Sequence, residues 1–465
     1  MPDHALQKCI LPECGATFGI EEVHHACPKC GNLLDVAYDW GRMPAPTHLP
    51  ELTAQAPELD GWSSRSGVWR YRAMIDFAPD EALMSMGEGA TQLRPSPGVA
   101  AYVGLAGKGR VECQYEGFNP SGSFKDNGMA GAFTHARMVG ARTACCASTG
   151  NTSASLAAFA SATRQMEAVV FIGRGKIALG KLSQALEYGA RTVEIEGDFD
   201  DAMARVMEAS KAEGLYLVNS VNPFRLEGQK TIMYRILEAR GWRVPDWIVC
   251  PGGNLGNSSA FGKAYIELVE LGLIRRPPRL AVINAEGAPT LSVLVNERNM
   301  KWNGGAPDML LADARWKEMD EKHLNARTLA SAIEINRPVN LTKCLRALEA
   351  TDGVVRTVSD EEILDAKAVV GREGVGCEPA SAASVAGARR LVEEGVIDRD
   401  AEVVCVLTGH ALKAPNATVG YHAAEGSSER AYVEGYGVKG ARFANRPVRA
   451  ANDLDAILKA LKATR

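Results

Sequence analysis

Asn119-Pro120-Ser121-Gly122-Ser123-Phe124-Lys125-Asp126 is a run of turn formers and small residues with one lysine near its end. A strand-like stretch, Val111-Glu112-Cys113-Gln114-Tyr115-Glu116, stands just before it, and a helical pattern covers 129–139 after it. Strand, turn and helix in that order open an α/β unit. Lysine is ordinarily a solvated surface residue. At a strand-to-helix elbow, among residues that let the backbone approach closely, Lys125 is placed to present an amine to a bound aldehyde.

Downstream the pattern is regular. Apolar strand-like runs at 143–147, 168–172, 192–195, 215–218, 247–250, 280–283 and 402–407 alternate with helical stretches at 152–163, 177–188, 199–211, 226–239 and 256–271. Such alternation predicts parallel sheets with both faces covered by helices. Residues 1–40 form a separate unit with four cysteines. Residues 41–110, rich in Pro, Trp and Arg, read as an arm packing on the large domain. Residues 426–465 form a tail with a charged helical end at 454–461.

Composition excludes several classes. The 465 residues are 46% hydrophobic and 23% charged, as in an ordinary globular protein, and the formal net charge of -4 offers no basic field for nucleic acid. No apolar run is long enough to span a bilayer, and Met1-Pro2-Asp3-His4 lacks the start of a signal peptide. Several of the eleven cysteines, among them Cys145, Cys146, Cys250 and Cys405, sit in apolar runs and read as core residues. A reduced, cytoplasmic setting is expected.

Four further motifs lie at strand-to-helix junctions or strand ends. Pro251-Gly252-Gly253-Asn254-Leu255-Gly256-Asn257 follows a strand and opens a helix, where glycines and helix-start amides cradle a phosphate. It lacks the Gly-Lys-Ser/Thr ending of a nucleotide loop, so a single cofactor phosphate suits it better. Ser148-Thr149-Gly150-Asn151-Thr152 offers hydroxyls and amides to a carboxylate or phosphate, and Asn151 can donate to a phenolic oxygen. In 219–231, Ser220 and Arg225 stand at a sheet's carboxyl edge, with Arg225 suited to an anion and Lys181 adding positive charge. Thr408, in Leu407-Thr408-Gly409-His410, can meet a ring nitrogen. With Lys125, these point to pyridoxal phosphate (PLP), with Lys125 as its Schiff-base lysine.

In this order the motifs resemble fold-type II PLP enzymes, and specifically the threonine synthase family, from about 85 to 415. The most specific pieces are Asn-Pro-Ser-Gly-Ser-Phe-Lys-Asp, Ser-Thr-Gly-Asn-Thr-Ser-Ala-Ser, Ala-Leu-Gly-Lys, Arg-Leu-Glu-Gly-Gln-Lys-Thr, Gly-Gly-Asn-Leu-Gly-Asn and Cys377-Glu378-Pro379-Ala380-Ser381. The resemblance implies an α/β fold with two parallel-sheet domains: a catalytic core over 111–425, with a small domain at about 125–235 inserted in the large one. It implies that Lys125 binds the cofactor and shuttles protons, that Asn151 meets its phenolic oxygen, and that Gly253, Asn254, Leu255, Gly256 and Asn257 hold its phosphate. Thr408 meets its ring nitrogen. Ser148, Thr149, Thr152, Lys181, Ser220 and Arg225 bind the carboxylate and phosphate of a phosphorylated amino acid. The implied reaction is O-phospho-L-homoserine plus water giving L-threonine plus phosphate, by γ-elimination and β-addition, and the implied assembly is a homodimer. The alternatives are a cysteate synthase-like enzyme using O-phosphoserine and sulfite, a threonine dehydratase-like β-eliminase, and a zinc-ribbon adaptor with a degenerate core. His410, Glu334 and Arg337 depart from the family pattern.

Cys9 and Cys14 with Cys27-Pro28-Lys29-Cys30 make a C-x4-C and C-x2-C set that resembles a zinc ribbon, with His24 and His25 as alternative ligands. A structural zinc there would staple a segment too small for its own core.

Overall fold

In the computed structural model the described residues are 3–54, 56, 64–173, 179–196 and 199–463, the side chains of 179–181, 199–204 and 463 excepted. They form three sheets. Strands β1 (Ala5–Cys9), β2 (Thr17–Phe18) and β3 (Leu34–Tyr38) make an antiparallel sheet in the order β2-β1-β3. Next in the chain come β4 (Gln92–Pro95) and β5 (Arg110–Tyr115). Strands β6 (Thr143–Ala147), β7 (Glu167–Gly173), β8 (Arg191–Ile195) and β9 (Tyr216–Leu217) form a parallel sheet ordered β8-β7-β6-β9. Strands β10 (Trp247–Pro251), β11 (Arg279–Ala285), β12 (Val354–Val358) and β13 (Glu402–Leu407) complete a six-stranded sheet ordered β12-β11-β10-β13-β5-β4.

Both faces of the large sheet are dry. Val249, Ile283, Val403 and Cys405 join one apolar cluster, while their neighbours Ile248, Val282, Val404 and Val406 join another. The period-2 alternation of the pleat sends successive side chains to opposite cores. The four apolar-run cysteines behave as small core residues, each fully buried.

Two elements depart from the alternating pattern. Strand β4 pairs antiparallel with β5 at the sheet edge, inside the segment expected to be only an arm. Its residues Gln-Leu-Arg-Pro are exposed at both ends, half-exposed between, and carry no apolar run to read. The other edge, β12, mixes two buried with three half-exposed positions, again without a continuous buried run.

The helix after the opening motif begins at Lys125 itself (Lys125–Met138), four residues before the expected 129. Gly128 and Gly131 lower helix propensity there, and tertiary packing prevails. A Cβ on Gly131 would lie 2.3 Å from the Phe224 carbonyl oxygen, and one on Gly228 would lie 1.9 Å from that of Asn127. The bare glycine backbones let the helices Lys125–Met138 and Pro223–Ala239 touch, and that contact fixes the elbow holding Lys125.

The N-terminal sheet is anchored to the core by buried ions. The Tyr38 hydroxyl donates to Glu227 at 2.7 Å; Lys230 pairs with Glu227 and Glu267 at 2.7 and 2.6 Å; and Asp35 pairs with Lys343 and Arg346 at 2.9 and 2.6 Å. The helix Leu454–Ala463 leaves Leu454 and Leu461 exposed. No described helix is long and apolar enough to cross a membrane.

Candidate active site

Three neighbouring parallel strands deliver the first set of site residues. Val249 pairs with Cys405 and Leu407 with Tyr115, so β10, β13 and β5 end on the same edge. Residues 252–257, 408–410 and 116–125 leave that edge together, where open α/β sheets bind ligands. The loops are laced by backbone: Phe124 N–H donates to the Thr408 carbonyl at 2.9 Å, His410 N–H to Gly122 at 2.9 Å and Glu378 N–H to Gly409 at 2.9 Å.

Lys125 is half-buried at the first helical position, its Nζ 4.2 Å from the centroid of the Phe124 ring. Asp126 beside it is fully buried and accepts from the Ser121 amide at 2.7 Å and from the Ser121 and Ser155 hydroxyls at 2.5 Å each. Burial pushes its carboxyl up from the usual range. It clamps the 121–125 turn, a role the sequence reading did not assign.

Beneath the turn lies a second buried acid. Glu116 accepts from Asn119 at 2.8 Å, Asn127 at 2.7 Å and Gln114 at 2.8 Å, and pairs with Arg235 at 3.1 Å. Burial opposes its ionisation, but Arg235 and the amide donors prevail and hold its carboxyl below the ordinary value. Glu116→Ala strands the buried Arg235 cation, and an expected loss of roughly 3–5 kcal/mol follows from an uncompensated buried charge. Denaturant unfolding of the two proteins measures it. Because the folded pKa is depressed, the wild-type contribution is present above the unfolded carboxylate pKa and fades as pH falls through the folded value. The gap between wild type and variant therefore narrows in acid.

The glycine loop has the shape of an anion cradle. A Cβ on Gly252 would lie 2.7 Å from Val282 Cγ1, and one on Gly253 would lie 3.0 Å from the Ala332 carbonyl oxygen. Leu255 takes a left-handed φ of 63° while its side chain is buried in the core. The side chains of Asn254 and Asn257 are turned inward, accepting from the Val339 amide at 3.4 Å and from Gln229 at 2.7 Å. Backbone N–H groups at the start of the helix Gly256–Glu270, which lack intrahelical partners, remain to hold a phosphate.

Around this cradle stand polar groups suited to the rest of the cofactor. Asn151 Nδ2 donates to Glu378 at 2.7 Å and keeps a second hydrogen, while its Oδ1 is buried without a partner, as is the Ser123 hydroxyl. Thr408 shares a 3.0 Å hydrogen bond with Ser381. A phosphate cradle, an amide, a neutral hydroxyl and an amine therefore border one region, and they fit the phosphate, phenolic oxygen, ring nitrogen and aldehyde of PLP. Glu378, which orients Asn151, stands in the Cys-Glu-Pro-Ala-Ser motif, where no spacing marks that role.

The smaller sheet supplies the facing side. The Asn219 side chain clips β6 by a 3.0 Å bond to each of the Ala147 N–H and C=O, holding loops 148–152 and 219–225 together. Ser148 and Thr149 are half-buried; Thr152 and Ser220 are buried. Arg225 is 1% exposed. It donates to the Val218 carbonyl at 2.7 Å and to the Thr152 hydroxyl at 3.3 Å, and its Nε has no partner. No described carboxylate pairs with it, and burial pushes its guanidinium down to about 10. Asn340 ties the two sides, its Nδ2 donating to Ser220 at 3.1 Å and to Asn254 at 3.3 Å. Lys181 falls in the helix Leu179–Glu187, but its side chain lies outside the described residues.

The departing residues have local occupations. His410 Nδ1 accepts from the Leu412 amide at 3.1 Å, capping a short turn. Arg337 is exposed and pairs with Asp320, and Glu334 is half-buried.

At the N-terminus the four sulphur atoms of Cys9, Cys14, Cys27 and Cys30 all lie within 4.8 Å of one another. Cys9 and Cys30 are 3.5 Å apart, and Cys14 and Cys27 3.8 Å. A tetrahedral metal with sulphur at about 2.3 Å spaces its ligands roughly 3.8 Å apart, so the set fits zinc. His24 faces Glu22 at 2.8 Å and His25 faces Ser210 at 3.2 Å, both outside the cluster.

Residues 84–409 match the family model described as pyridoxal-phosphate dependent enzyme. The chain is 39% identical over 415 residues to a threonine synthase of Methanocaldococcus jannaschii, covering 89% of this chain and 94% of that one. It is 41% identical to one of Methanosarcina acetivorans, covering 89% and 93%, and 40% identical to one of Synechocystis, covering 81% and 90%. Among solved structures, a threonine deaminase of Solanum lycopersicum superposes with a TM-score of 0.55 at 18% identity, covering 74% of this chain and 89% of that one. Maize serine racemase does so with 0.53 at 18% identity, covering 69% and 88%. At that identity these two speak for the fold alone.

Proposed function

The chain belongs to the pyridoxal-phosphate dependent enzymes and, within them, to the threonine synthases, and on that premise we propose how its residues turn O-phospho-L-homoserine and water into L-threonine and phosphate. The cysteate synthase-like and dehydratase-like alternatives are not favoured by relatives near 40% identity over most of the chain.

PLP, when bound, supplies the electron sink that acidifies the substrate's Cα and then Cβ. Lys125 takes the Cα proton and returns protons later, its amine held at the helix start by the Asp126 clamp. Asn151, oriented by Glu378, donates to the phenolic oxygen, and Thr408 offers the ring nitrogen a neutral hydroxyl. Amides of 253–257 hold the cofactor phosphate. Ser148, Thr149, Thr152 and Ser220 take the substrate's carboxylate and phosphate, with Lys181 adding charge. Arg225 acts through Thr152, and its field stabilises the departing phosphate from beneath.

The observation that carries this reading is Arg225, a buried guanidinium without a described carboxylate, set under the loop that faces Lys125's sheet edge. Its charge suits an anionic substrate and gives a simple eliminase no advantage. Arg225→Met is expected to raise KM for O-phospho-L-homoserine by ten-fold or more, with a smaller fall in kcat. Steady-state assays of the purified protein, following phosphate and threonine together, test both statements. Equal release of the two products supports the reading, and phosphate release without threonine sinks it.

Eleven cysteines without a disulfide among the described residues suit a reducing cytoplasm, the proposed setting. A homodimer is the proposed assembly, to be read by sedimentation. The proposed working division is a core over 111–425 with a small domain at about 125–235, flanked by the cysteine unit, the arm and the tail.

A further inference from the structure

A cavity of about 410 Å3 lies away from the proposed substrate loops, between the helix Asp360–Arg372, the helix Pro415–His422 and the backbone of Gly376 and Cys377. No acidic side chain is among the described residues lining it. Lys367 is 8% exposed there, and its Nζ donates to the Thr418 hydroxyl at 2.7 Å. It makes no ion pair among the described residues. The comparably buried Lys230, Lys263 and Lys343 each have a carboxylate. An ammonium out of water with a hydroxyl and the neighbouring Cys377 thiol but no carboxylate for company is costly, and burial accordingly pushes Lys367 down, against an opposing effect of Cys377.

Two more basic groups face the same space. Arg372, on the rim, donates to the Phe443 carbonyl at 3.1 Å and likewise makes no described ion pair. His422 accepts the Asn445 amide on Nδ1 at 2.8 Å, which leaves Nε2–H as a donor. Burial, Lys367 and Arg372 all depress its protonation. The nearest acid on the lysine's helix, Asp365, is engaged by the Tyr421 hydroxyl at 2.5 Å and does not line the cavity.

We propose that this cavity is a binding site for a small oxyanion-bearing molecule, its phosphate or carboxylate group held by Lys367, Arg372 and His422. The floor is close to the catalytic wall. Ala411 N–H donates to Gly376 at 3.0 Å, the Tyr115 hydroxyl does so at 2.5 Å, and the residue after Cys377 is Glu378, the partner of Asn151.

The test is titration calorimetry of the PLP-loaded enzyme with inorganic phosphate at low ionic strength. Expected is a binding component that Lys367→Gln removes and Arg372→Ala weakens ten-fold or more. Arg372 is exposed, so that variant does not depend on refolding a core position. A phosphate isotherm identical in wild type and both variants overturns the proposal. Malonate distinguishes the sources: binding at the same component assigns the site to carboxylates as well, and exclusion assigns it to phosphate.

Discussion

Lys125→Ala is expected to lose at least about 10^3-fold in kcat, the scale of a positioned proton carrier, with the far-ultraviolet dichroism unchanged. Three features make the expectation sharp. Alanine is a good helix former, so the first position of Lys125–Met138 tolerates it. The turn is held by other residues, through Asp126 on Ser121 and Ser155 and through the backbone bonds to Thr408 and His410. The glycine cradle draws on the strand β10 and its helix, neither of which contains Lys125. The variant therefore keeps its site and loses its amine. Added methylamine is expected to restore part of the rate, since the missing part is a base of that size. A variant that turns over at near the wild-type rate removes Lys125 from the proton path.

The legible part of the candidate site consists of the residues proposed to touch ligand, because each lies in a local motif with its own chemistry: Lys125 at an elbow, Gly252 and Gly253 before a helix, Asn151 at a helix start. The illegible part consists of residues that hold those residues still. Glu116 and Arg235 are 119 positions apart in the chain, and Asn151 and Glu378 are 227 apart. No spacing rule joins them; only the sheet order does. The fold divides in the same way. Buried parallel strands such as β10 and β13 announce themselves as apolar runs, whereas β4 and β12 are half-wet edges whose pairing comes from the neighbour. The helical pattern at 129–139 is legible, but Gly128 speaks against its first turn, from Lys125, until the facing backbone of Pro223–Ala239 is known.

Removing metal from the N-terminal centre is expected to destabilise the protein more than any single substitution at the active site. Structural zinc contributes about 10–16 kcal/mol of binding free energy in isolated zinc-finger peptides, and here the unit's own apolar cluster is small, Cys9, Cys27 and Leu34, while Ala5, Ile10, Ile20 and Val36 pack into the larger cores. Without the metal, four thiols within 4.8 Å have no shared partner to hold them. The loss should not stay local. Strand β3 follows the second cysteine pair, and its Tyr38 reaches Glu227, two residues from Arg225 and eight from Arg235 on the helix Pro223–Ala239. Disorder in the ribbon thus loosens a helix that carries both the anion field and the partner of Glu116. Metal analysis of the purified protein should give one zinc per chain. Cobalt in its place should show the visible bands of tetrahedral thiolate ligation, and Cys27→Ser should weaken both readouts and lower the melting temperature. The fall in kcat should follow the fall in stability, not precede it, because no cysteine of the cluster is placed to touch substrate. A chain that purifies without metal, and whose melting temperature zinc does not move, sinks the metal and leaves the buried ion pairs at Asp35 and Glu227, with the apolar packing of Ile10, Ile20 and Val36, as what holds the unit in place.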